Sequence, residues 1–455
     1  MASAYTERVR PNMGADALVQ AQWAEKKWVW VTDKEEGYLA GFIVKEDGDN
    51  VSVETTNGVT QTFNINDTEK MNPPKFDKAE DMADLTYLNE ASVVHNLRLR
   101  YLSNLIYTYS GLFLVAVNPY KRLPIYTDEI VKAYRGKKRT EFPPHIYAIS
   151  DAAYHDMMQG RENQSILITP VQERLRTPKK VIQYLASIAS MSAGGKQLGT
   201  LEQQILQANP ILESYGNAQT IRNNNSSRFG KFIRIEFTPS GNISGANIDW
   251  YLLEKSRVTH QTAKERNYHI FYQLMKGGSQ ELKESLLLDG SLNDYRFTKA
   301  SNKNIDGVDD AGDFKSLKDA LDIMGFSADD QKDLHRAVAA ILHLGNITVK
   351  PDREDQAQLT DAANAIAEKV CHVLGIPVAE FTKSLLKPKI KAGRDWVTQA
   401  RNCEQVLYSI EALARSMYER MFGKLVERIN AAIYSQSSKA TFIGVLDIAG
   451  FEIFE

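Results

Sequence analysis

The spacing of apolar and polar positions changes character near residue 76. From Trp28 to Asn72, short apolar runs alternate with polar residues in WVWVTD, YLAGFIVKED, NVSVETT and VTQTFNI, separated by EEG, EDGDN and TNG. Alternation with period two, bounded by Gly, Asn and Asp, predicts strands and tight turns. Residues 28–75 therefore read as a small β-barrel module, closed by the paired prolines of NPPKF, which suit neither strand nor helix. Residues 1–27 are polar and read as an N-terminal extension.

Beyond residue 76 the pattern is mixed. Helical spacing occurs in ASVVHNLRLRYLSN and around 127–135, 145–158, 178–189 and 200–214. Between these lie the apolar runs GLFLVAV (111–117), SILIT (165–169), the hairpin KFIRIEF–TPSGN–ISGANIDWYL and TFIGVLD (441–447). Residues 257–430 are mostly helical, ending in CEQVLYSIEALARSMYERMFGKLVERIN, and MSAGGKQLG reads as a surface loop. Buried strands scattered among helices predict an α/β fold with one central sheet covered on both faces. Ligands of such sheets bind at the carboxyl ends of the strands. That singles out NPYKRLPIY (118–126), the connector after SILIT, and IAGFE (448–452).

Composition narrows the function. The 455 residues are 43% apolar and 25% charged, which is ordinary for a globular chain of more than one lobe. A net charge of -2 gives no global pull toward nucleic acid or an anionic membrane, so neither is expected as a partner and any polyanion site must be local. Cys371 and Cys403 lack metal-ligand spacing, as expected of a reduced, cytoplasmic protein. No apolar run has bilayer length, and MASAYTERVR lacks a signal-peptide core. VLDIAGFEIFE stops just after an apolar strand, which predicts an N-terminal fragment of a longer protein.

Three loops carry candidate chemistry. NNNSSRFG (223–230) taken alone is an Asx-rich turn. Its serines are also suited to magnesium, its asparagines to phosphate oxygens and its arginine to a carboxylate or phosphate. DIAGFE (447–452) places an aspartate at a strand end and a glycine soon after, which suits magnesium and a γ-phosphate; alone, D-x-x-G is equally a capped strand and a turn. NPYKRLPIY is a rigid loop able to wrap a purine.

Taken in order, these segments resemble switch I and switch II of a nucleoside triphosphatase. GLFLVAVNPYKRLPIY, PHIYAISDAAYHDM, LEQQILQANPILESYGNAQTIRNNNSSRFGKFIRI and FIGVLDIAGFE together resemble the myosin motor domain, from about residue 28 to the end, with the wording of conventional (class II) heavy chains. The resemblance implies a P-loop NTPase-type central mixed sheet flanked by helices. It makes 76–455 a partial motor domain, with nucleotide-binding core and upper cleft lobe, stopping after switch II. It implies ATP and Mg2+ as cofactors. Asn118, Pro119, Arg122 and Tyr126 would border adenine, and Asn223, Ser226 and Ser227 would form switch I. Ser227 would ligate magnesium, Ser226 would help to position the lytic water, and Asp447 would stand in the outer shell of the metal. Gly450 would donate its N–H to the γ-phosphate, while Arg228 and Glu452 would form the ion pair closing the back of the site. KAGRDWVTQARN (391–402), with Arg394, resembles the surface loop that touches actin, and Glu404 falls where that contact is regulated. The implied partners are the actin filament and, in the full-length protein, light chains and a second heavy chain joined through a coiled-coil tail. The implied location is the cytoskeleton.

One segment departs from the family. Where myosins carry ITGESGAGKTENTKKVIQY, this chain has ITPVQERLRTPKKVIQY: nine residues, Pro170, Val171, Gln172, Glu173, Arg174, Leu175, Arg176, Thr177 and Pro178, stand in place of eleven. Codons for SGAGKTENT (TCC GGT GCA GGA AAG ACT GAG AAC ACC), read without their first base and with one A added at the end, give CCG GTG CAG GAA AGA CTG AGA ACA CCA, which is PVQERLRTP. A loss of seven bases compensated by a gain of one accounts for both text and length, so the segment reads as a frame-shifted phosphate loop. It lacks the glycines, lysine and threonine that cradle phosphates and magnesium. Arg174, Arg176, Lys179 and Lys180 read as a solvated basic patch. Two functions stay open: an ATP-driven actin motor in the parent protein, with the chain as written inactive, or a non-catalytic actin-associated fragment. A GTPase-like switch is disfavoured because no NKxD-type guanine loop occurs.

Overall fold

The computed structural model describes residues 21, 23–169, 177–192, 199–221, 223–262, 264–301, 303–305, 307–434 and 440–447. The chain divides into two compact units, Met1–Asp156 with Leu175–Ile188, and Met157–Arg174 with Ala189–Glu455.

In the first unit the alternating segment forms one antiparallel sheet in the order Thr60–Asn64, Asn50–Thr55, Gly37–Asp47, Trp28–Asp33, Glu69–Lys70. The period of two sorts its side chains. Val29, Val31, Val51 and Val53 share one buried face with Leu39, Ile43 and Phe63 against it. Trp30, pointing the other way, packs with Met71 and Ala91. Ala91 belongs to the helix Glu90–Leu102, whose N-cap Asn89 accepts from the Ser92 amide at 2.9 Å. The run GLFLVAV departs from expectation. It forms only Phe113–Ala116, which pairs with Tyr107–Ser110 in a two-stranded hairpin outside the central sheet, with Phe113 75% exposed. An apolar run marks a strand but does not encode its neighbour.

The second unit is built on a mixed sheet in the order Ile243–Tyr251, Gly230–Phe237, Thr441–Asp447, Gln164–Ile168. The first two pairings are antiparallel and the last is parallel. The long helix Cys403–Ile433 packs along the edge strand Ile243–Tyr251. There Asn430 accepts from the Ile248 amide at 2.8 Å and donates to its carbonyl at 2.9 Å, covering edge groups that would otherwise face the helix unpaired. The expected helices are realised as Asp128–Tyr134, Ile146–Gly160, Thr177–Ser192 and Thr200–Gly216. Residues 193–198, within MSAGGKQLG, lie outside the described residues.

Candidate functional site

The site in the second unit starts at one edge of the mixed sheet. In the parallel pair, Ile168 stands opposite Asp447, so the connector after SILIT and the loop after Asp447 leave from the same edge. Asp447 also stands opposite Lys231 on the antiparallel neighbour, and Lys231 Nζ lies 2.8 Å from Asp447 Oδ2. Both side chains are more than nine-tenths buried. Lys231 was not among the residues expected to matter, although a lysine opening the alternation of KFIRIEF was a visible signal.

Next to it the Asn/Ser loop is folded on itself. The helix Thr200–Gly216 runs into Asn217–Ala218, which pairs antiparallel with Ser226–Ser227. Arg228 N donates to Gly216 O at 2.8 Å. A Cβ on Gly216 would meet the Phe229 ring at 2.2 Å, so this closure requires glycine. Both serines are buried. Within the loop, Asn225 N donates to Asn223 Oδ1 at 2.8 Å and Thr220 N to Asn223 O at 2.9 Å.

Arg228 Nη1 donates to Ser226 Oγ at 3.0 Å, and its Nε lies 2.5 Å from Glu254 Oε2. Glu254 also receives Arg257 Nε at 2.7 Å, and Arg257 Nη1 reaches Glu265 Oε2 at 2.9 Å. Burial pushes the Glu254 carboxyl up, but the hydrogen bonds and charges of Arg257 and Arg228 outweigh it and hold the group below the usual carboxylate range. Glu254 is thus the described carboxylate partner of Arg228. Gly450 and Glu452, and with them the expected Arg228–Glu452 pair, lie outside the described residues.

In the first unit, Asn118 Oδ1 accepts from Tyr120 N at 3.2 Å, forming an Asx turn that carries Tyr120 to a φ of +49°. Pro119 is half-buried and Arg122 exposed. The Tyr126 hydroxyl is 2.7 Å from that of Tyr107, its ring packs on His145 and Tyr147, and Lys180 Nζ sits 4.5 Å above it. Lys180 is therefore engaged with an aromatic ring rather than simply solvated. Of PVQERLRTP, residues 170–176 lie outside the described residues. Thr177 opens the helix Thr177–Ser192, and Pro178 is buried in its first turn, where a missing N–H breaks no helical bond.

The segment KAGRDWVTQARN, also in the second unit, makes an exposed hairpin, Lys389–Ala392 with Asp395–Thr398. Arg394 is exposed in its turn, and Trp396 is 67% exposed. Glu404 is exposed in the first turn of Cys403–Ile433, a favourable place for an acid, behind a reciprocal capping box between Asn402 and Gln405. Among the described residues no helix is long and apolar enough to cross a membrane.

Two family models match this chain. One describes the myosin head (motor domain) and covers residues 79–455; the other describes the myosin N-terminal SH3-like domain and covers residues 15–72.

Proposed function

Because the chain belongs to the myosin motor-domain family, an actin-based motor lineage, we propose that residues 217–228 and Asp447 are the phosphate-facing half of its ATP site. The observation that carries this reading is the buried Ser226–Ser227 pair, pinned by Asn217–Ala218 and bonded through Ser226 Oγ to Arg228. When bound, MgATP supplies the phosphoryl group and the metal that compensates its charge. The hydroxyl of Ser227 and the carboxylate of Asp447 are hard oxygen donors of the kind magnesium takes, directly and through water respectively. Ser226 Oγ accepts from Arg228, which leaves its O–H proton to be aimed at the attacking water. Asn223 reaches phosphate oxygens, and Gly450 donates its amide there. Arg228, shared between Glu254 and Glu452, closes the site behind the water. Such a site works by positioning and electrostatics. Asn118, Pro119, Arg122 and Tyr126 border the adenine. Arg394 contacts the actin filament, and Glu404 tunes that contact. In the full-length, cytoplasmic protein, light chains and a second heavy chain complete the assembly.

As written, the chain is proposed to be inactive, because PVQERLRTP offers no phosphate cradle. The same fact favours the second reading, an actin-associated fragment without turnover. Ser227→Ala tests the site in a chain restored to GESGAGKTENT. It is expected to weaken MgATP binding about tenfold, the worth of one charge-assisted bond, while leaving ATP binding in excess EDTA unchanged. An equal loss with and without magnesium removes Ser227 from the metal. For the surface loop, Arg394→Glu is expected to weaken low-salt co-sedimentation with actin about threefold or more, as for a rim charge. Unchanged sedimentation rejects that contact.

A further inference from the structure

Resting on the reading of 223–227 as a phosphate-facing loop, we propose that His269 is a positioning residue that fixes this loop by donating its Nε2 proton to Asn225. His269 is the first residue of the helix His269–Gly277 and is buried. Its Nε2 is 3.0 Å from Asn225 Oδ1. Its Nδ1 faces Arg266 Nη2 at 3.5 Å. A guanidinium only donates, so Nδ1 must accept and the ring proton of the neutral imidazole must sit on Nε2. Burial, with the adjacent Arg266 charge, lowers the His269 pKa to about 3, so the ring is neutral throughout the working range.

The Asn225 amide has one permitted orientation. Its Nδ2 faces the acceptor-only carboxylate of Glu213 at 3.2 Å. Its Oδ1 therefore receives both His269 Nε2–H and Asn217 Nδ2–H, the latter at 3.0 Å. Behind His269 the chain of contacts ends in a fixed anchor. Arg266 is completely buried, paired through both Nη atoms with Asp310, and stacked 3.9 Å from the Tyr272 ring. Asp310 is held in turn by Lys276 at 2.8 Å. The loop is thus tied through one imidazole, 44 residues along the chain from Asn225, to the buried Arg266–Asp310 ion pair.

Nitrogen-specific substitutions test this. A glutamine places an amide near the Nε2 position, whereas an asparagine reaches only as far as Nδ1. In the chain as it stands, His269→Gln is expected to keep native amide exchange across 223–227. His269→Asn and Asn225→Ala are each expected to speed it about tenfold, as for loss of one net hydrogen bond, with no further gain in the double variant. Thermal melts check that all the variants fold. A purely packing role predicts that Gln and Asn behave alike, and that result, or unchanged exchange in Asn225→Ala, overturns the proposal. The loop-restored chain separates the two claims. If exchange changes as stated but MgATP affinity does not, the phosphate reading falls and the positioning role stands.

Discussion

Replacing PVQERLRTP with GESGAGKTENT is expected to raise MgATP affinity at least about a hundredfold, and turnover is expected only in the restored chain. The backbone donors and lysine of a phosphate loop each make charge-assisted hydrogen bonds, worth roughly 1.5–3 kcal/mol apiece, and two such bonds already reach that factor. The present segment has prolines, which lack an N–H donor, at positions 170 and 178, and brings the negative charge of Glu173 in place of a glycine-rich turn. Its arginines bring positive charge, but the segment has none of the glycines that build an anion-binding nest. The serine side of the site is not expected to compensate. Ser226 and Ser227 are already fixed by Asn217–Ala218, so in the proposed site they are expected to need a phosphate loop to hold the phosphate against them. Some affinity is expected to survive if the Asn118–Tyr126 loop borders the adenine as proposed. Calorimetry on the two proteins, each shown folded by thermal melt, decides the matter; equal affinities would make PVQERLRTP a working substitute. A transcript read across residues 165–186 complements it. An open frame for GESGAGKTENT is expected there, and a clean transcript encoding PVQERLRTP would make the lesion genuine.

What was legible in the sequence follows its periodicities. The alternation in WVWVTD and NVSVETT sorted Val29, Val31, Val51 and Val53 onto one face because a strand has period two. The strand KFIRIEF of the hairpin was legible for the same reason, whereas TFIGVLD was legible as a short continuous apolar run. GLFLVAV was legible as a strand, but its pairing was not, since an apolar run says nothing about which strand lies beside it. The loop 223–230 was legible in chemistry and not in form. Its two-residue ladder is too short to leave a period, and its closure depends on Gly216 admitting the Phe229 ring. The Glu254–Arg257–Glu265 cluster and the His269–Arg266–Asp310 chain were invisible. Their outer members are joined by burial across the fold, and only the three-residue spacings of Glu254/Arg257 and Arg266/His269 hint at local pairs.

Lys231→Met is expected to loosen the centre of the mixed sheet, with amides of Thr441–Asp447 exchanging at least about a hundredfold faster. Lys231 and Asp447 face each other across the ladder with side chains 9% and 3% exposed. Removing the cation from such a pair leaves a buried carboxylate without its lysine, a penalty of about 3–5 kcal/mol. Methionine keeps the length of the stem, so the loss is charge rather than volume. One further result follows from that cause. Adding Asp447→Asn to Lys231→Met should recover most of the protection, because the amide carries no charge to strand. Hydrogen exchange resolved to the strand is the suitable measurement, because it reads local opening in a chain of two units where one global unfolding energy is ill-defined. A single variant whose strand exchanges no more than about threefold faster, well under one hydrogen bond's worth, would show that the Asp447 charge is balanced without Lys231. The end of this strand would then owe its form to other contacts of the carboxylate.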